Sequence, residues 1–202
     1  MNKYGNREDY LKWYEEHPHW GNNQVTENYE RLFWLLPFVH GSVLEVGCNT
    51  GGITSIIATI PSVQSVLGID ITDDYINQAR KATEFSIKAS LHKLFLEDIT
   101  LKYAFHTILL MEVLEHVLNP VEALKKCFSL LAPGGRILIS VPEGHSFSQP
   151  DHIREYSAKS LYSDIAAASD GFDITTQIVE THSPYFDIEY YSWLLAVLRK
   201  NG

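Results

Sequence analysis

A glycine-rich loop behind an apolar run is the part of this sequence whose residues could take part in chemistry most directly. The run V-L-E-V includes an acidic residue, Glu45, and is followed by G-C-N-T-G-G at 47–52. Isoleucines at helical spacing come next, over 53–60. Glycines leave such a loop without Cβ atoms, so a ligand can lie directly on its backbone. Strand, glycine turn and helix in this order predict a nucleotide site at the carboxyl end of a parallel strand.

A second acidic residue lies at the end of the next apolar run, V-L-G-I-D, which closes at Asp70. In nucleotide-binding α/β folds, a carboxylate at this place accepts hydrogen bonds from the hydroxyls of a ribose. Taken alone, a carboxylate at such a place is more often a strand end that faces solvent, and the same holds for Asp98. The choice between the two interpretations depends on the rest of the sequence.

The elements that must position these residues alternate between strand and helix from Ser42 onward, which predicts parallel strands with right-handed crossovers. Strands are expected at 42–46, 65–70, 91–95, 105–111 and 135–141, and helices at 52–60, 73–88, 119–131 and 158–168. Thr72 and Asn119 are expected to cap the helices that follow them. Two further strands, at 172–179 and 193–198, follow each other without an obvious long helix between them and should be antiparallel.

The sequence therefore predicts an α/β fold with a doubly wound sheet of about seven strands, mostly parallel with an antiparallel edge hairpin. Residues 1–40 have an aromatic helical pattern, with Tyr10, Trp13 and Tyr14 at i, i+3 and i+4. We expect them to form an N-terminal helical cap or lid, and residues 41–202 to form one compact unit.

The composition favours a single globular domain, because 45% of the 202 residues are apolar. The net charge of −9 argues against a broad surface for nucleic-acid phosphates. The apolar runs are too short to cross a bilayer, and the N-terminus has no apolar signal core. Cys48 and Cys127 suggest neither a disulfide framework nor a thiolate zinc cluster. We expect a soluble cytoplasmic protein that does not bind membranes.

The segment E-V-G-C-N-T-G resembles the first motif of the class I S-adenosylmethionine-dependent methyltransferases, acidic-x-Gly-x-Gly-x-Gly, with Asn49 replacing the middle glycine. Glu45 distinguishes it from a dinucleotide strand, which usually has an apolar residue there. Four more segments resemble that family in the same order: I-D at 69–70, L-E-D-I at 96–99, L-L-M-E-V-L-E-H-V at 109–117 and L-L-A-P-G-G-R-I-L-I-S-V-P at 130–142. The resemblance covers roughly 41–200 and implies a Rossmann-like fold with S-adenosylmethionine as cofactor.

The resemblance also implies which residues contact the cofactor. They are Glu45, Gly47, Asn49 and Gly51 around the methionine part, Asp70, Ile71, Asp98 and Ile99 around the ribose and adenine, and Met111 and Glu112 near the sulfonium. Asp70 would bind the ribose, and Asp98 would accept from the adenine amino group. Asn49 departs from the family pattern, but asparagine adopts a left-handed backbone more readily than most residues.

Methyl transfer requires alignment and exclusion of water, and it requires a base only if the acceptor must lose a proton. His116 is the candidate base, because a neutral imidazole is available near pH 7. It could instead pack or cap the segment that follows. The loop after the fifth strand is expected to form the acceptor pocket through His145, His152, Arg154 and Tyr156, although it could also be an ordinary polar loop.

A metal site is the alternative interpretation of Glu112, Glu115, His116 and His152. Their pattern resembles the Glu-x-x-Glu-His plus distant His of small-RNA 2′-O-methyltransferases, and a related pattern in ubiquinone-pathway O-methyltransferases. The same residues also occur in relatives without a metal, so we predict no metal here.

The predicted function is transfer of a methyl group to an oxygen or nitrogen of a small molecule. Two alternatives stay open at this point: a non-catalytic S-adenosylmethionine-binding module, and an RNA methyltransferase, which the net charge disfavours. The aromatic N-terminus is either core packing or a lid over cofactor and acceptor, with Trp20 and Tyr29 as its contact residues. The sequence does not indicate an oligomeric state.

Overall fold

The computed structural model describes residues 6–17, 31–100, 105–144, 151–182 and 192–201. Contacts group the chain into two compact units, Met1–Thr100 and Leu101–Gly202. The predicted boundary near residue 40 stays a prediction. Among the described residues, no helix has the length and apolar character needed to cross a membrane.

The first unit contains three parallel strands in the order β3-β2-β1. Its elements are α1 (Arg7–Glu16), a helical stretch at 31–35, a 3₁₀ turn (Leu36–Phe38), β1 (Gly41–Val46), α2 (Gly52–Ile57), β2 (Val63–Asp70), α3 (Asp73–Ala82), β3 (Ala89–Lys93) and a second 3₁₀ turn (Leu96–Asp98). All six residues of β1 are buried, as expected for a parallel strand covered on both faces. The predicted cap of α3 is confirmed, since Thr72 accepts a hydrogen bond from the Tyr75 amide.

The second unit contains four strands in the order β4-β5-β7-β6. Its elements are β4 (Phe105–Met111), α4 (Pro120–Leu130), β5 (Leu131–Pro142), α5 (Ala158–Ala168), β6 (Ile174–His182) and β7 (Ser192–Lys200). The pair β4 and β5 is parallel, whereas β7 runs antiparallel to both β5 and β6. The predicted cap of α4 is confirmed, because the Asn119 side chain accepts from the Glu122 amide and Pro120 occupies the first helical position.

The seven strands form a mixed sheet that is mostly parallel with an antiparallel edge, so the predicted Rossmann-like fold class is confirmed. The predicted aromatic helix is also present as α1, where the Tyr10 and Tyr14 rings lie 5.0 Å apart. The aromatic segment at 183–191 lies outside the described residues.

Several element boundaries differ from the prediction, such as the end of α2 at Ile57 rather than at 60, and two of the differences have a clear physical reason. Helix α3 ends at Ala82 rather than at 88, and the Thr83 hydroxyl closes it by donating to the Ala79 carbonyl. Phe85 and Ile87 continue the apolar pattern but are fully exposed, at 93% and 102%. The predicted turn at 132–135 lies inside β5 as an irregularity, because the pairing with β4 passes from Leu131 directly to Arg136.

Candidate functional site

The glycine loop of the first unit turns the chain from β1 into α2 through three left-handed residues. Gly47, Asn49 and Gly51 have φ angles of 69°, 48° and 81°. Left-handed backbone suits glycine, and asparagine is the next most tolerant type. The departure from the family motif at Asn49 therefore leaves this loop conformation accessible.

Gly47 and Gly51 of this loop have different surroundings. Gly47 is exposed, whereas Gly51 is buried against α3. A Cβ built on Gly51 would lie 2.8 Å from the Ala79 Cα, which is closer than any real contact. Gly51 is thus required for packing between the loop and α3, whereas the backbone of Gly47 is open to solvent, and its contact with a cofactor stays a prediction.

Asp70 holds the loop from the end of β2. One carboxylate oxygen, Oδ2, accepts from the Asn49 amide at 2.9 Å. The other, Oδ1, accepts from the Ile71 amide at 2.7 Å and the Thr72 amide at 3.2 Å. Burial raises the pKa of Asp70 to about 6, although the three amides oppose that rise. A carboxylate has about four acceptor positions, so one is left for a ribose hydroxyl.

Glu45 is buried near the end of β1, with 2% of its surface exposed. The Thr54 hydroxyl on α2 donates to its Oε2 atom. Burial is the main reason that the pKa of Glu45 rises to about 8, and the nearby Asp70 charge adds to it. The side chain is therefore mostly protonated at neutral pH, and a positively charged ligand group would favour its ionised form.

The predicted adenine residues lie beyond β3 and differ in exposure. Ile99 is buried, while Asp98 is exposed and paired with Arg7 of α1. Arg7 donates to both carboxylate oxygens, and its guanidinium lies 3.7 Å from the centre of the Phe95 ring. Asp98 therefore already has a cationic partner, and its contact with adenine stays a prediction. Ile71 is half-buried directly after Asp70.

In the second unit, β4 ends at the buried Met111 and continues into a left-handed residue, Glu112, with a φ of 55°. The Glu112 amide donates to the Ser140 carbonyl at 3.0 Å, and the Ser140 hydroxyl donates to Glu112 Oε1 at 2.8 Å. A non-glycine residue in this conformation costs about 1–3 kcal/mol. Two hydrogen bonds with Ser140 of β5 thus hold Glu112, a strained residue, at the end of β4. The sequence did not indicate this contact.

His116 lies in the turn that follows and contacts acidic side chains through both ring nitrogens. Its Nε2 is 3.7 Å from Glu115 Oε1, and its Nδ1 is 3.3 Å from Asp151 Oδ2. The His152 ring packs edge-on against it at 4.8 Å. Burial lowers the pKa of His116 to about 4 despite the charge of Asp151. The imidazole is therefore neutral at physiological pH.

Two of the residues predicted to line the acceptor pocket bond within the second unit. The Arg154 guanidinium donates to the carbonyls of Leu114, Val117 and Leu118, and so holds the turn that carries His116. Tyr156 is 2% exposed, and its hydroxyl donates to Asp164 at 3.1 Å. Their contact with an acceptor stays a prediction, and His145 lies outside the described residues.

Three of the four residues in the alternative metal interpretation come together. Glu115, His116 and His152 place ligand atoms within 4.8 Å of one another. Two imidazoles and a carboxylate are a donor set that transition metals accept. Glu112 is not in this group, and its Oε1 accepts a hydrogen bond from the Ser140 hydroxyl. The absence of a metal stays a prediction.

Comparison with known proteins places these sites in context. Residues 17–197 match a family model described as a methyltransferase domain. The mitochondrial ubiquinone biosynthesis O-methyltransferase of Saccharomyces cerevisiae is 40% identical over 101 residues, 48% of this chain and 32% of that protein. The Acinetobacter baylyi protein of that name is 30% identical over 138 residues, 64% of this chain and 56% of that one. The chain thus spans only about a third to a half of these relatives.

A solved structure covers nearly the whole chain. The N-methyltransferase NodS of Bradyrhizobium japonicum WM9, in complex with S-adenosyl-L-homocysteine, matches with a TM-score of 0.75. It covers 96% of this chain and 99% of its own, at 18% sequence identity. At that identity the match supports the fold.

Proposed function

This chain belongs to the methyltransferase domain family, and from that premise we propose that it transfers a methyl group from S-adenosylmethionine to an oxygen or nitrogen of a small molecule. The observation that carries the proposal is the link between Asp70 and the glycine loop at the carboxyl ends of β1 and β2. In α/β folds this is the position at which a nucleoside ligand binds.

The residues of the first unit fit such a cofactor. Asp70 has one acceptor position left after its three amide contacts, which suits a ribose hydroxyl. The buried Glu45 carboxyl would ionise beside an ammonium group, because a nearby positive charge lowers its pKa. Gly47 leaves an exposed backbone on the loop. When bound, S-adenosylmethionine supplies a methyl group on a positively charged sulfur.

The second unit supplies groups that can act on the acceptor. His116 is neutral and can take a proton from a hydroxyl or a protonated amine as the acceptor becomes a nucleophile. Glu112 lies at the end of β4, where its carboxylate can accept a hydrogen bond and hold the acceptor in place. Alignment of this kind can account for much of the rate of a displacement reaction.

A small molecule is the acceptor class that we propose. The curated relatives are named for ubiquinone biosynthesis, and O-methylation is the reaction in their names. The net charge of −9 gives an RNA strand little general attraction. We therefore infer a neutral or cationic small molecule with a hydroxyl or amine group.

Calorimetry and a product screen test this function together. We expect S-adenosylmethionine and its demethylated product to bind with a Kd in the micromolar range, about −8 kcal/mol. Incubation with fractionated metabolites should then give a product one methyl group heavier than its precursor. Binding without turnover would favour a non-catalytic module, and salt-dependent binding of RNA would favour an RNA methyltransferase. Absence of binding would overturn the proposal.

A further inference from the structure

We propose that Thr54 is a positioning residue that holds the Glu45 carboxyl through its Oε2 atom and leaves Oε1 to bind the ammonium group of S-adenosylmethionine. This role rests on the proposed function, because it requires the cofactor to bind at the glycine loop. Binding experiments can detect it, since Glu45 should give up a proton when an ammonium group binds. Thr54 had no assigned role in the sequence analysis.

The contact between Thr54 and Glu45 is shielded from water. Thr54 is 0% exposed and Glu45 is 2% exposed, so water competes little with the hydrogen bond from the Thr54 hydroxyl to Oε2. Among the residues that the structure describes, no other donor reaches this carboxyl group, and Oε1 therefore keeps its acceptor positions for a ligand. Because Thr54 is fully buried, it acts on a ligand through Glu45.

Both partners belong to regular structure, which limits how far the carboxyl can move. Glu45 pairs with Gly68 across β1 and β2. Thr54 lies on α2, where its carbonyl accepts from the Ala58 amide at 3.0 Å. A β-branched side chain on a helix has few rotamers. The hydroxyl thus holds Oε2 at a nearly constant position, two residues before the glycine loop begins at Gly47.

The same contact determines which oxygen carries the proton of the free carboxyl group. Burial raises the pKa of Glu45 to about 8, so the group is mostly protonated at neutral pH. In a protonated carboxyl, one oxygen carries the hydrogen and the other accepts. Because Oε2 accepts from Thr54, the hydrogen belongs on Oε1, which is the oxygen left for the ligand.

The ionisable groups around Glu45 in the first unit add negative charge or none. Asp70 of β2 raises the pKa of Glu45 by its charge, and Cys48 of the loop is a buried thiol whose own pKa is raised by burial. Helix α2, G-I-T-S-I-I, has no ionisable side chain. The four charged side chains of α3 are exposed: Asp73, Asp74, Arg80 and Lys81. A cationic ligand is therefore what would ionise Glu45.

The proton balance of binding follows from this arrangement. The hydrogen on Oε1 of Glu45 passes to water and then to the buffer, and the resulting carboxylate pairs with the ammonium group. That group is already protonated at pH 7 and keeps its hydrogens. The hydrogen bond from Thr54 favours the ionised carboxylate and so lowers the cost of losing the proton.

Calorimetry with two ligands tests the proton release without any variant. S-adenosyl-L-homocysteine has the ammonium group, whereas 5′-methylthioadenosine keeps the adenosine and the thioether but lacks the amino-acid part. In phosphate, imidazole and Tris at pH 7, the slope of the binding enthalpy against the ionisation enthalpy of the buffer counts the protons released. We expect about one proton for the first ligand and about none for the second. Equal counts for the two ligands would overturn the proposal.

Variants of the two residues test the positioning role separately. Glu45→Gln should remove the difference in proton release between the ligands. Thr54→Val keeps the shape of the side chain without its hydroxyl, and it should weaken binding of S-adenosyl-L-homocysteine by about 10-fold. Binding of 5′-methylthioadenosine should stay nearly unchanged, and Thr54→Ser should restore the affinity for the first ligand.

A matched control separates this role from the loss of a buried hydroxyl in general. Thr83→Val removes another buried hydroxyl of the first unit, one that donates to the Ala79 carbonyl. It should leave the ratio of the two dissociation constants unchanged. If Thr54→Val weakens both ligands equally, Thr54 has a purely structural role and the proposal is wrong.

The two proposals fail in different ways. If the protein transfers no methyl group but the two ligands differ by one released proton and Thr54→Val weakens the first ligand alone, the proposed function is wrong and the role of Thr54 is correct. If turnover occurs and Thr54→Val leaves the ratio of the two dissociation constants unchanged, the role of Thr54 is wrong and the function is correct.

Discussion

The glycine loop of the first unit and the His116 turn of the second unit differ in the atoms that build them. The loop is made of backbone: left-handed residues give it its shape, and one carboxylate, Asp70, accepts a hydrogen bond from its Asn49 amide. The turn is made of side chains from two segments, with Asp151 and Arg154 reaching it from about 35 residues further on. A site built from backbone depends on local sequence, whereas a site built from side chains depends on which distant segments meet.

The largest effect should come from the side-chain site. His116→Ala should lower kcat by about 10²- to 10⁴-fold, because it removes the group that accepts the proton of the acceptor. The Kd of the cofactor should stay nearly the same, since His116 is not among the residues assigned to the cofactor and most of those residues lie in the first unit. Steady-state kinetics and calorimetry on one preparation would show both. A parallel loss of cofactor binding would contradict the division of roles between the two sites.

A smaller effect on binding should come from the backbone site. Asp70→Ala should weaken cofactor binding by roughly 10- to 100-fold, since hydrogen bonds to a charged acceptor are worth about 1.5–3 kcal/mol. Calorimetry measures it, with Asp74→Ala as the control, because Asp74 is an exposed carboxylate bonded to Gln78 on α3. An unchanged Kd would mean that Asp70 holds the loop but does not contact the cofactor.

The packing role of Gly51 predicts a loss of stability. Gly51→Ala should lower the free energy of unfolding by about 1–3 kcal/mol, because the new Cβ meets Ala79 and the φ angle of 81° is strained. Gly134→Ala is the matched control: its φ angle of 72° is equally strained, but no atom lies within 4 Å of the added Cβ. Urea unfolding of both variants separates steric from conformational cost. Equal losses would exclude the contact with α3 as the reason.

The buried Glu45 predicts a dependence of stability on pH. Its pKa is about 8 in the folded chain and near 4.5 in the unfolded one, so the folded state binds the extra proton between these values. The contribution of this group to stability is full below pH 4.5 and is lost as the pH rises through 8. Glu45→Gln should therefore flatten the fall of Tm with pH between about 6 and 8, above the range in which Asp70 titrates. An unchanged slope would mean that Glu45 is not protonated in the fold.

The smallest expected effect is that of chelation. A buried imidazole with carboxylate oxygens near both nitrogens, as at His116, suits either a base or a metal ligand. We expect turnover to survive EDTA, because Glu112 bonds to Ser140 rather than joining Glu115, His116 and His152. Loss of turnover in EDTA that a divalent ion restores would instead assign this cluster to a metal.

Much of the fold was predictable because helices and strands alternate with clear periods. The failures have physical reasons. Phe85 and Ile87 extend the apolar period of α3 but lie exposed beyond its end, so periodicity alone overestimates the helix. The Gly134 turn lies within β5 because the strand resumes its pairing directly after it.

The candidate site was predictable only in part. Residue types and order were enough to select Glu45, Asp70 and His116, but not their partners. Asp98 was selected for adenine, and its pairing with Arg7 came from a helix far away in sequence. Asp151 was overlooked although it directly precedes His152, and an acidic residue beside a candidate histidine is a signal that could have identified it.

The backbone amides that donate to Asp70 can report ligand binding through their NMR resonances. The amide protons of Asn49, Ile71 and Thr72 all point at this one carboxylate. A molecule that takes the fourth acceptor position of Asp70 redistributes its charge, and the resonances of all three amides respond together. Their spectrum therefore reads out occupancy of the first unit without a label on the ligand, and it does so whether or not any methyl group is transferred.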